Sequence, residues 1–128
     1  MKDVNVLKLL TLKKDVKCIA WDSSLHQAIE KMRFHGYTAL PVLDERGKYM
    51  GTVSEGDLLY ALMDGNDLSQ PFNKFLRWRF NPAVSVDTPF AKLIRMTLDY
   101  NFIPLVDDRG VLIGILTRKA LMGALLED

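Results

Sequence analysis

Two stretches of the chain show the same succession of hydrophobic and polar positions. In the first stretch, apolar residues have the spacing of one face of an amphipathic helix: Leu25, Ala28, Ile29 and Met32. Two short apolar runs follow, at residues 38–43 and 49–53, and a turn at residues 44–47 separates them. This arrangement predicts a β-hairpin. A further helix is predicted after the hairpin, with Leu58, Leu59 and Leu62 on one side.

The ends of both helices carry recognisable signals. Ser24 and Gln27 have the spacing of a capping box, and Gly36 is placed to end the first helix. Ser54 is a good N-cap for the second helix. Gly65 follows that helix where a left-handed residue is common.

The second stretch is a copy of the first. A shift of 63 residues lays residues 37–62 over residues 100–125 without a gap, and nine of the 26 paired positions are identical. Several identities are turn or strand-boundary residues: Pro41/Pro104, Asp44/Asp107, Arg46/Arg109, Gly47/Gly110 and Gly51/Gly114. Because there are only two copies, we expect two half-domains rather than a solenoid.

In the second copy we expect Thr88 to cap the first helix and Pro89 to be its first residue. The apolar face of this helix is predicted to hold Phe90, Leu93, Ile94, Thr97 and Leu98. Strands are predicted at 102–106 and 111–116, and a helix from Thr117. The order strand, helix, strand, strand, helix therefore occurs twice, which predicts a mixed α/β (α+β) fold of two pseudo-symmetric β-α-β-β-α repeats.

The chain divides into a lead-in with repeat 1 (residues 1–65), a linker (66–82) and repeat 2 (83–128). In the linker, aromatic and basic residues alternate: Phe72, Lys74, Phe75, Arg77, Trp78, Arg79 and Phe80. Such a pattern occurs in proteins that bind single-stranded nucleic acid. Three cations are few for that role, so we expect the aromatic side chains to pack across the two halves.

Composition narrows the function classes. The chain has 17 basic and 16 acidic residues and a net charge of +1, which argues against a nucleic-acid partner. No apolar run has the length of a signal peptide or membrane span, so we expect a cytoplasmic protein with no membrane partner. With Cys18 as the single cysteine and only His26 and His35 as histidines, neither an intrachain disulfide nor a metal centre is expected.

These motifs resemble the CBS domain family, whose members occur as tandem pairs called Bateman modules. The similarity covers nearly the whole chain. In the first copy it rests on residues 36–44 and on Gly-Thr-Val-Ser-Glu-Gly-Asp at 51–57, which fits the family motif Gly-x-hydrophobic-Ser/Thr-x-x-Asp. In the second copy it rests on residues 103–107 and 114–120, where Ala120 replaces the motif's aspartate.

The resemblance implies a regulatory module that binds adenosine-containing ligands between its two repeats. It implies a first site in which Ser54 and Asp57 face a base slot formed by Ala83, Val84, Phe102 and Ile103. It implies a second site in which Thr117, Arg118 and Lys119 face a slot formed by Lys17, Cys18, Tyr37, Thr38 and Ala39.

The residue chemistry is consistent with these roles but also permits simpler ones. A capped helix start attracts phosphate, and the carboxylate of Asp57 can accept both hydroxyls of a ribose. Ser54 and Asp57 could equally serve only as a helix-start device. Arg118 and Lys119 oppose the helix dipole, which suggests an anionic ligand, although both could be solvated surface residues.

The leading hypothesis is a non-catalytic regulator that binds an AMP, ADP or ATP type nucleotide, requires no cofactor and signals to an unknown downstream protein. One alternative is a cyclic di-AMP receptor, because some family members that resemble such receptors share the basic pair and the Gly-Tyr-Thr-Ala strand. Another is a ligand-free dimerisation module. A homodimer is expected through helix faces that include Leu58, Leu62, Leu121 and Leu125. An enzyme is disfavoured, since no nucleophile with a base, phosphate loop or metal set is evident.

Overall fold

The computed structural model of the chain describes residues 4–74 and 81–127. They belong to two compact units: the first-repeat unit is Lys17–Phe80, and the second-repeat unit joins Met1–Val16 to Asn81–Asp128. The strands are β1 (Thr11–Leu12), β2 (Ile19–Ala20), β3 (Ala39–Leu43), β4 (Tyr49–Ser54), β5 (Phe102–Val106) and β6 (Leu112–Thr117). The helices are α1 (Leu25–His35), α2 (Glu55–Met63), α3 (Phe90–Met96) and α4 (Arg118–Leu126). The predicted α+β class is confirmed.

In the first-repeat unit, the sheet has the order β2-β3-β4. Strand β2 is parallel to β3, and β3 forms an antiparallel hairpin with β4. Strand β3 is apolar along nearly its whole length, as expected for a strand that is covered on both faces. One cluster of buried side chains forms the core of this unit: Ile19, Leu25, Ala28, Met32, Leu40, Val42, Val53, Leu58, Ala61 and Phe72.

The predicted helix signals of the first repeat are confirmed. The hydroxyl of Ser24 accepts a hydrogen bond from the Gln27 N–H, and the Gln27 side chain accepts one from the Ser24 N–H. Gly36 follows α1 with a φ of 70°, and Gly65 follows α2 with a φ of 86°. Both conformations are left-handed, where glycine is favoured.

The first part of the linker folds back onto the first-repeat unit. The Leu25 N–H donates to the Gln70 carbonyl, and the Phe72 N–H donates to the Ser23 carbonyl. The Phe72 ring is completely buried in the core of this unit. The prediction that Phe72 packs across the two halves is therefore wrong, because these backbone bonds return its ring to the repeat that precedes it. Phe75, Trp78 and Phe80 lie outside the described residues.

The second-repeat unit repeats the hairpin and adds a different partner strand. Its sheet has the order β1-β6-β5, and β6 is antiparallel to both neighbours. A second cluster of buried side chains forms its core: Val6, Val84, Phe90, Leu93, Ile103, Leu105, Leu116, Leu121 and Ala124. Leu121 and its counterpart Leu58 are core residues, so the expectation that these two leucines cover a dimer face is wrong.

The first strand predicted for the second repeat is reduced to one bridged residue. Val84 pairs in parallel with Leu105, and its N–H donates to the Pro104 carbonyl at 2.9 Å. Its carbonyl accepts a bond from the Val106 N–H. Both backbone groups of Val84 are therefore used within the unit.

Helix α3 begins later and ends earlier than predicted. Pro89 occupies the N-cap position with a non-helical ψ of 142°, and no side chain caps the helix. The prediction of Thr88 as the N-cap is therefore wrong, because Pro89 keeps an extended conformation and the helix begins only at Phe90. The Thr97 hydroxyl donates to the Ile94 carbonyl in the final turn. Leu98 lies beyond the helix and is 82% exposed, so it does not belong to the apolar face.

Equivalent aspartates shape the two hairpin turns. The Asp44 carboxylate accepts bonds from the N–H groups of Arg46 and Lys48, while the Asp107 carboxylate accepts from Arg109 and Val111. The N–H groups of Val111 and Arg109 hold the pKa of Asp107 below its ordinary value. These carboxylates stabilise turns.

The lead-in belongs to the second-repeat unit, whereas the sequence-based division grouped it with the first repeat. Thr11 and Leu12 of β1 pair with β6, and Val6 is buried in the second core. A Cβ atom on Gly114 of β6 would lie 2.2 Å from the Thr11 carbonyl oxygen. Glycine at this position therefore allows the lead-in strand to approach.

No helix within residues 4–74 and 81–127 is long and apolar enough to cross a membrane.

We predict that Gly114→Ala destabilises the protein by about 1–3 kcal/mol, the usual range for overpacking, because β1 must move away from β6. Gly123→Ala is the matched control. A Cβ atom at Gly123 meets nothing within 4 Å. Because alanine favours the helix over glycine, this variant should raise the free energy of unfolding by about 0.5–1 kcal/mol. Urea unfolding of both variants measures these changes. A Gly114→Ala protein as stable as the parent would contradict the close approach of β1.

Candidate functional site

The start of α2 holds the two motif residues of the first predicted site. One carboxylate oxygen of Asp57 accepts bonds from the Ser54 N–H at 2.8 Å and from the Ser54 hydroxyl at 2.9 Å. The Asp57 N–H donates to the Ser54 hydroxyl oxygen at 3.2 Å, which completes a capping box. Asp57 is only 4% exposed. The carboxylate is therefore held rigidly in place, and its helix-start role is present in the structure.

The same helix start is attached to the beginning of β3. The Glu55 N–H donates to the Thr38 carbonyl at 2.9 Å, and Ala39 lies opposite Ser54 in the hairpin. Ser54 and Asp57 were assigned to one predicted site, and Thr38 and Ala39 to the other. Within the first-repeat unit, the structure brings the two sets together.

The other slot residues of this unit lie at its surface or edge. Tyr37 is 43% exposed and stacks on the His35 ring with centroids 5.8 Å apart. Lys17 is exposed, and Cys18 is partly buried just before β2. The Cys18 carbonyl accepts a hydrogen bond from the Lys31 side chain, which fixes the backbone at this point. The Tyr37 ring is thus partly exposed beside His35, and the Cys18 carbonyl is engaged by Lys31.

Helix α4 begins in the same way as α2 but with opposite charge. The Ala120 N–H donates to the Thr117 hydroxyl at 3.1 Å, and the Arg118 N–H donates to the Asn101 carbonyl at 2.8 Å. Arg118 and Lys119 are exposed, and neither forms an ion pair with a residue that the structure describes. Two cations in the first turn of a helix are electrostatically unfavourable unless an anion is near.

The slot residues of the second-repeat unit are mostly buried. Val84, Phe102 and Ile103 are each at most 8% exposed, whereas Ala83 is exposed. The side-chain amide of Asn81 donates to the Phe102 carbonyl at 3.1 Å. With the backbone of Val84 also engaged, Ala83 is the accessible member of this set.

Sequence reasoning missed two parts of this region. Asn81 was not singled out, although a polar side chain just before Pro82 is a common turn signal. A groove of about 400 Å³ beside α2 was also not anticipated. Its walls are lined by Ile29, Met32, Arg33, Gly36, Tyr37, Thr38, Glu55, Leu58, Leu59 and Leu62. The shape of a groove between two helices depends on which apolar side chains remain outside the core. The helical spacing of apolar residues does not predict which ones these are.

Within the described part of the chain, no group of three or more His, Cys, Asp or Glu side chains could hold a metal ion.

The chain is similar to proteins of known sequence and structure. It is 26% identical over 106 residues to an uncharacterized 17.7 kDa protein of Acidianus ambivalens, and the match covers 81% of this chain and 63% of that protein. The chain thus spans less than two thirds of this relative. The Listeria monocytogenes CbpB protein, solved in complex with c-di-AMP, has a TM-score of 0.85 at 19% identity and covers 95% of both chains. CBSX2, solved in complex with AMP, has a TM-score of 0.79 at 26% identity and covers 97% of both chains.

The family assignment follows from the sequence match and agrees with these structures. The model of the CBS domain matches residues 6–64 and 79–127, which is most of the chain and corresponds to its two repeats. Both repeats have the hairpin and the capped second helix on which the resemblance rested. The chain therefore belongs to the CBS domain family and contains two CBS repeats.

Proposed function

We propose that this protein is a non-catalytic regulatory module that binds an adenosine nucleotide of the AMP, ADP or ATP type. The observation that carries the proposal is the buried Asp57 carboxylate, which the capping box holds at the start of α2. Membership of the CBS family and the similarity to the AMP complex of CBSX2 support it. The binding needs no cofactor in this proposal.

In the proposed site, the ribose hydroxyls donate to Asp57, and a phosphate lies near the helix start, where the dipole favours an anion. The base occupies the slot of Ala83, Val84, Phe102 and Ile103 from the other repeat. Because the Val84 backbone is engaged and its side chain is buried, we expect base contacts at this slot to centre on the exposed Ala83.

A nucleotide that contacts both repeats would shift the module towards the conformation that binds it more tightly. The size of this shift is set by the difference between the nucleotide's affinities for the two conformations. A partner protein that recognises that conformation would then respond to the nucleotide concentration. The partner is an unidentified downstream protein, and we place the signalling in the cytoplasm.

We predict that Asp57→Asn weakens AMP binding by about 1.5–3 kcal/mol, the range for a hydrogen bond to a charged group. Asparagine keeps one oxygen that can accept the Ser54 hydrogen bonds, so the helix cap should largely remain. Ser24→Ala is the matched control, since it removes the equivalent capping box of α1 at a cost of about 1 kcal/mol without touching the proposed site. Calorimetric titration measures both affinities. Unchanged AMP affinity in a folded Asp57→Asn protein would remove Asp57 from the site.

A second candidate function is a cyclic di-AMP receptor. It is favoured by Arg118 and Lys119, which have no ion-pair partner among the described residues and lie where the helix dipole repels them. Their proposed site includes Thr117 and the slot of Lys17, Cys18, Tyr37, Thr38 and Ala39. Because Ala120 cannot accept a ribose hydroxyl, a ligand here would be held chiefly through its phosphates.

If this second site binds a phosphate-rich ligand, Arg118→Ala with Lys119→Ala should weaken cyclic di-AMP or ATP binding more than adenosine binding. Parent affinity should also fall as salt rises, because salt screens exposed charges. Lys13→Ala with Lys14→Ala is the control, since it removes two exposed cations elsewhere in the same unit. Equilibrium dialysis at low and high salt measures the difference. Equal affinities in both double variants would show that Arg118 and Lys119 are solvated surface residues.

We also propose that the chain forms a homodimer. Exposed apolar side chains remain on α2 and α4 in the folded chain, among them Leu59, Met63, Met122 and Leu126. Such clustered exposure marks interaction surfaces. If no nucleotide binds, dimer formation alone would be the function, and the module would serve assembly.

A further inference from the structure

The groove beside α2 lies within the first-repeat unit, between α1 and α2. Its volume of about 400 Å³ is in the range of small-molecule binding sites. The residues that line it belong to α1, to α2 and to residues 36–38, which precede β3. Only Tyr37 and Thr38 among them are also assigned to a proposed nucleotide site. The groove can therefore bind a ligand without any contribution from the second repeat.

Aliphatic side chains form much of the groove lining. Ile29 of α1 is partly buried, and Leu59 and Leu62 of α2 are 56% and 38% exposed. Met32 and Leu58, which also line the groove, belong to the core of the unit. Burial of apolar ligand surface against such side chains is favourable. The body of a ligand here is therefore expected to be an alkyl chain or a ring.

Polar groups are gathered at one end of the groove, where the end of α1 meets the start of α2. The Glu55 N–H donates to the Thr38 carbonyl, so Glu55 lies next to the segment that contains Tyr37. The Glu55 side chain is exposed and forms no ion pair with a described residue. Arg33 lies near the end of α1, and its guanidinium is 3.9 Å from the Glu30 carboxylate. Of the two charged lining residues, Glu55 is therefore the one without an ionic partner in the described part of the chain.

The charges around this end of the groove are mainly negative. The carboxylates of Glu30, Glu55 and the buried Asp57 outnumber the guanidinium of Arg33. The ammonium of Lys31 is bound to a backbone carbonyl beside β2. The negative end of the α1 dipole and the positive end of the α2 dipole meet here and offset each other. A cation is therefore the charged ligand group that this end of the groove favours.

We propose that the groove binds a primary amine with an apolar body, in its protonated form. The ammonium donates a hydrogen bond to the Glu55 carboxylate and lies against the Tyr37 ring, which is 43% exposed. The body of the amine covers Ile29, Leu59 and Leu62. This inference goes beyond the proposed nucleotide binding, because it uses a single repeat and a ligand of opposite charge.

Three probes of equal carbon number test the charge of the ligand: hexylamine, 1-hexanol and hexanoate at neutral pH and low salt. Amide chemical shifts of the isotope-labelled protein measure each dissociation constant and locate the site. We expect hexylamine to bind about threefold to tenfold more tightly than 1-hexanol, because an ion pair and a cation–π contact are added to the same apolar burial. The shifts should centre on Thr38, Glu55 and Leu59. Added salt should reduce the preference for hexylamine.

Two pairs of variants separate the head of the ligand from its body. Glu55→Gln should remove the preference for hexylamine and leave 1-hexanol binding unchanged. Its control is Glu45→Gln, in an exposed hairpin turn, which should change neither affinity. Leu59→Ala should weaken hexylamine and 1-hexanol alike, because it removes part of the lining. Met63→Ala is the control for that change, since Met63 is 71% exposed on the same helix and does not line the groove.

A preference for hexylamine that Glu55→Gln abolishes and Glu45→Gln keeps supports the proposal. Equal affinities for hexylamine and 1-hexanol, tighter binding of hexanoate, or shifts that centre outside the groove would each overturn it. If Glu55→Gln does not fold, the comparison of probes in the parent and in Leu59→Ala decides, because it requires no change at Glu55. A parent protein that binds hexylamine in this way but binds no nucleotide would overturn the proposed function and leave this inference intact.

Discussion

In each repeat, one backbone hydrogen bond ties the start of the second helix to the residue before the first strand of the hairpin. Glu55 donates to the Thr38 carbonyl, and Arg118 donates to the Asn101 carbonyl, at positions separated by 63 residues in both cases. This bond fixes the position of the helix N-terminus, the positive end of the helix dipole, relative to the sheet. It also uses an N–H group that a helix start would otherwise leave without a partner. Ala39 and Ser54 pair beside this bond in the first repeat, and Phe102 and Thr117 pair beside it in the second.

The duplicated helix starts have diverged in charge while keeping their geometry. Ser54 and Thr117 cap their helices in the same way, but Asp57 completes a capping box and Ala120 does not. The first start thus carries a rigid acceptor, and the second carries two exposed cations. This difference gives the two proposed nucleotide sites different chemistry.

Much of the fold follows from local patterns in the sequence, because capping signals such as Ser24 and Ser54 act over a few residues. The repeat of 63 residues shows that the same local patterns occur twice. The features that could not be predicted depend on distant contacts. Backbone bonds to Ser23 and Leu25 draw the linker back and place the ring of Phe72 in one core, which the aromatic and basic pattern of the linker did not indicate. The position of β1 depends on Gly114, which lies about 100 residues away along the chain.

The candidate site shows the same division. The motif predicted Ser54 and Asp57 at a helix start, because capping geometry is local. It did not predict that the backbone of Val84 is engaged or that Ile103 is buried, since both depend on packing within the second-repeat unit. Nor did it separate Leu58 from Leu59, although only Leu58 faces the core.

Ligand-induced stabilisation tests the central claim, nucleotide binding, most directly. The unfolding free energy of the parent protein would be measured by chemical denaturation with AMP, ADP, ATP and cyclic di-AMP added in turn. A nucleotide at about 100 times its Kd should raise that free energy by about 2.7 kcal/mol, whereas adenine-free phosphates at the same concentration should have a much smaller effect. Equal unfolding free energies with and without every nucleotide, up to millimolar concentration, would contradict the account.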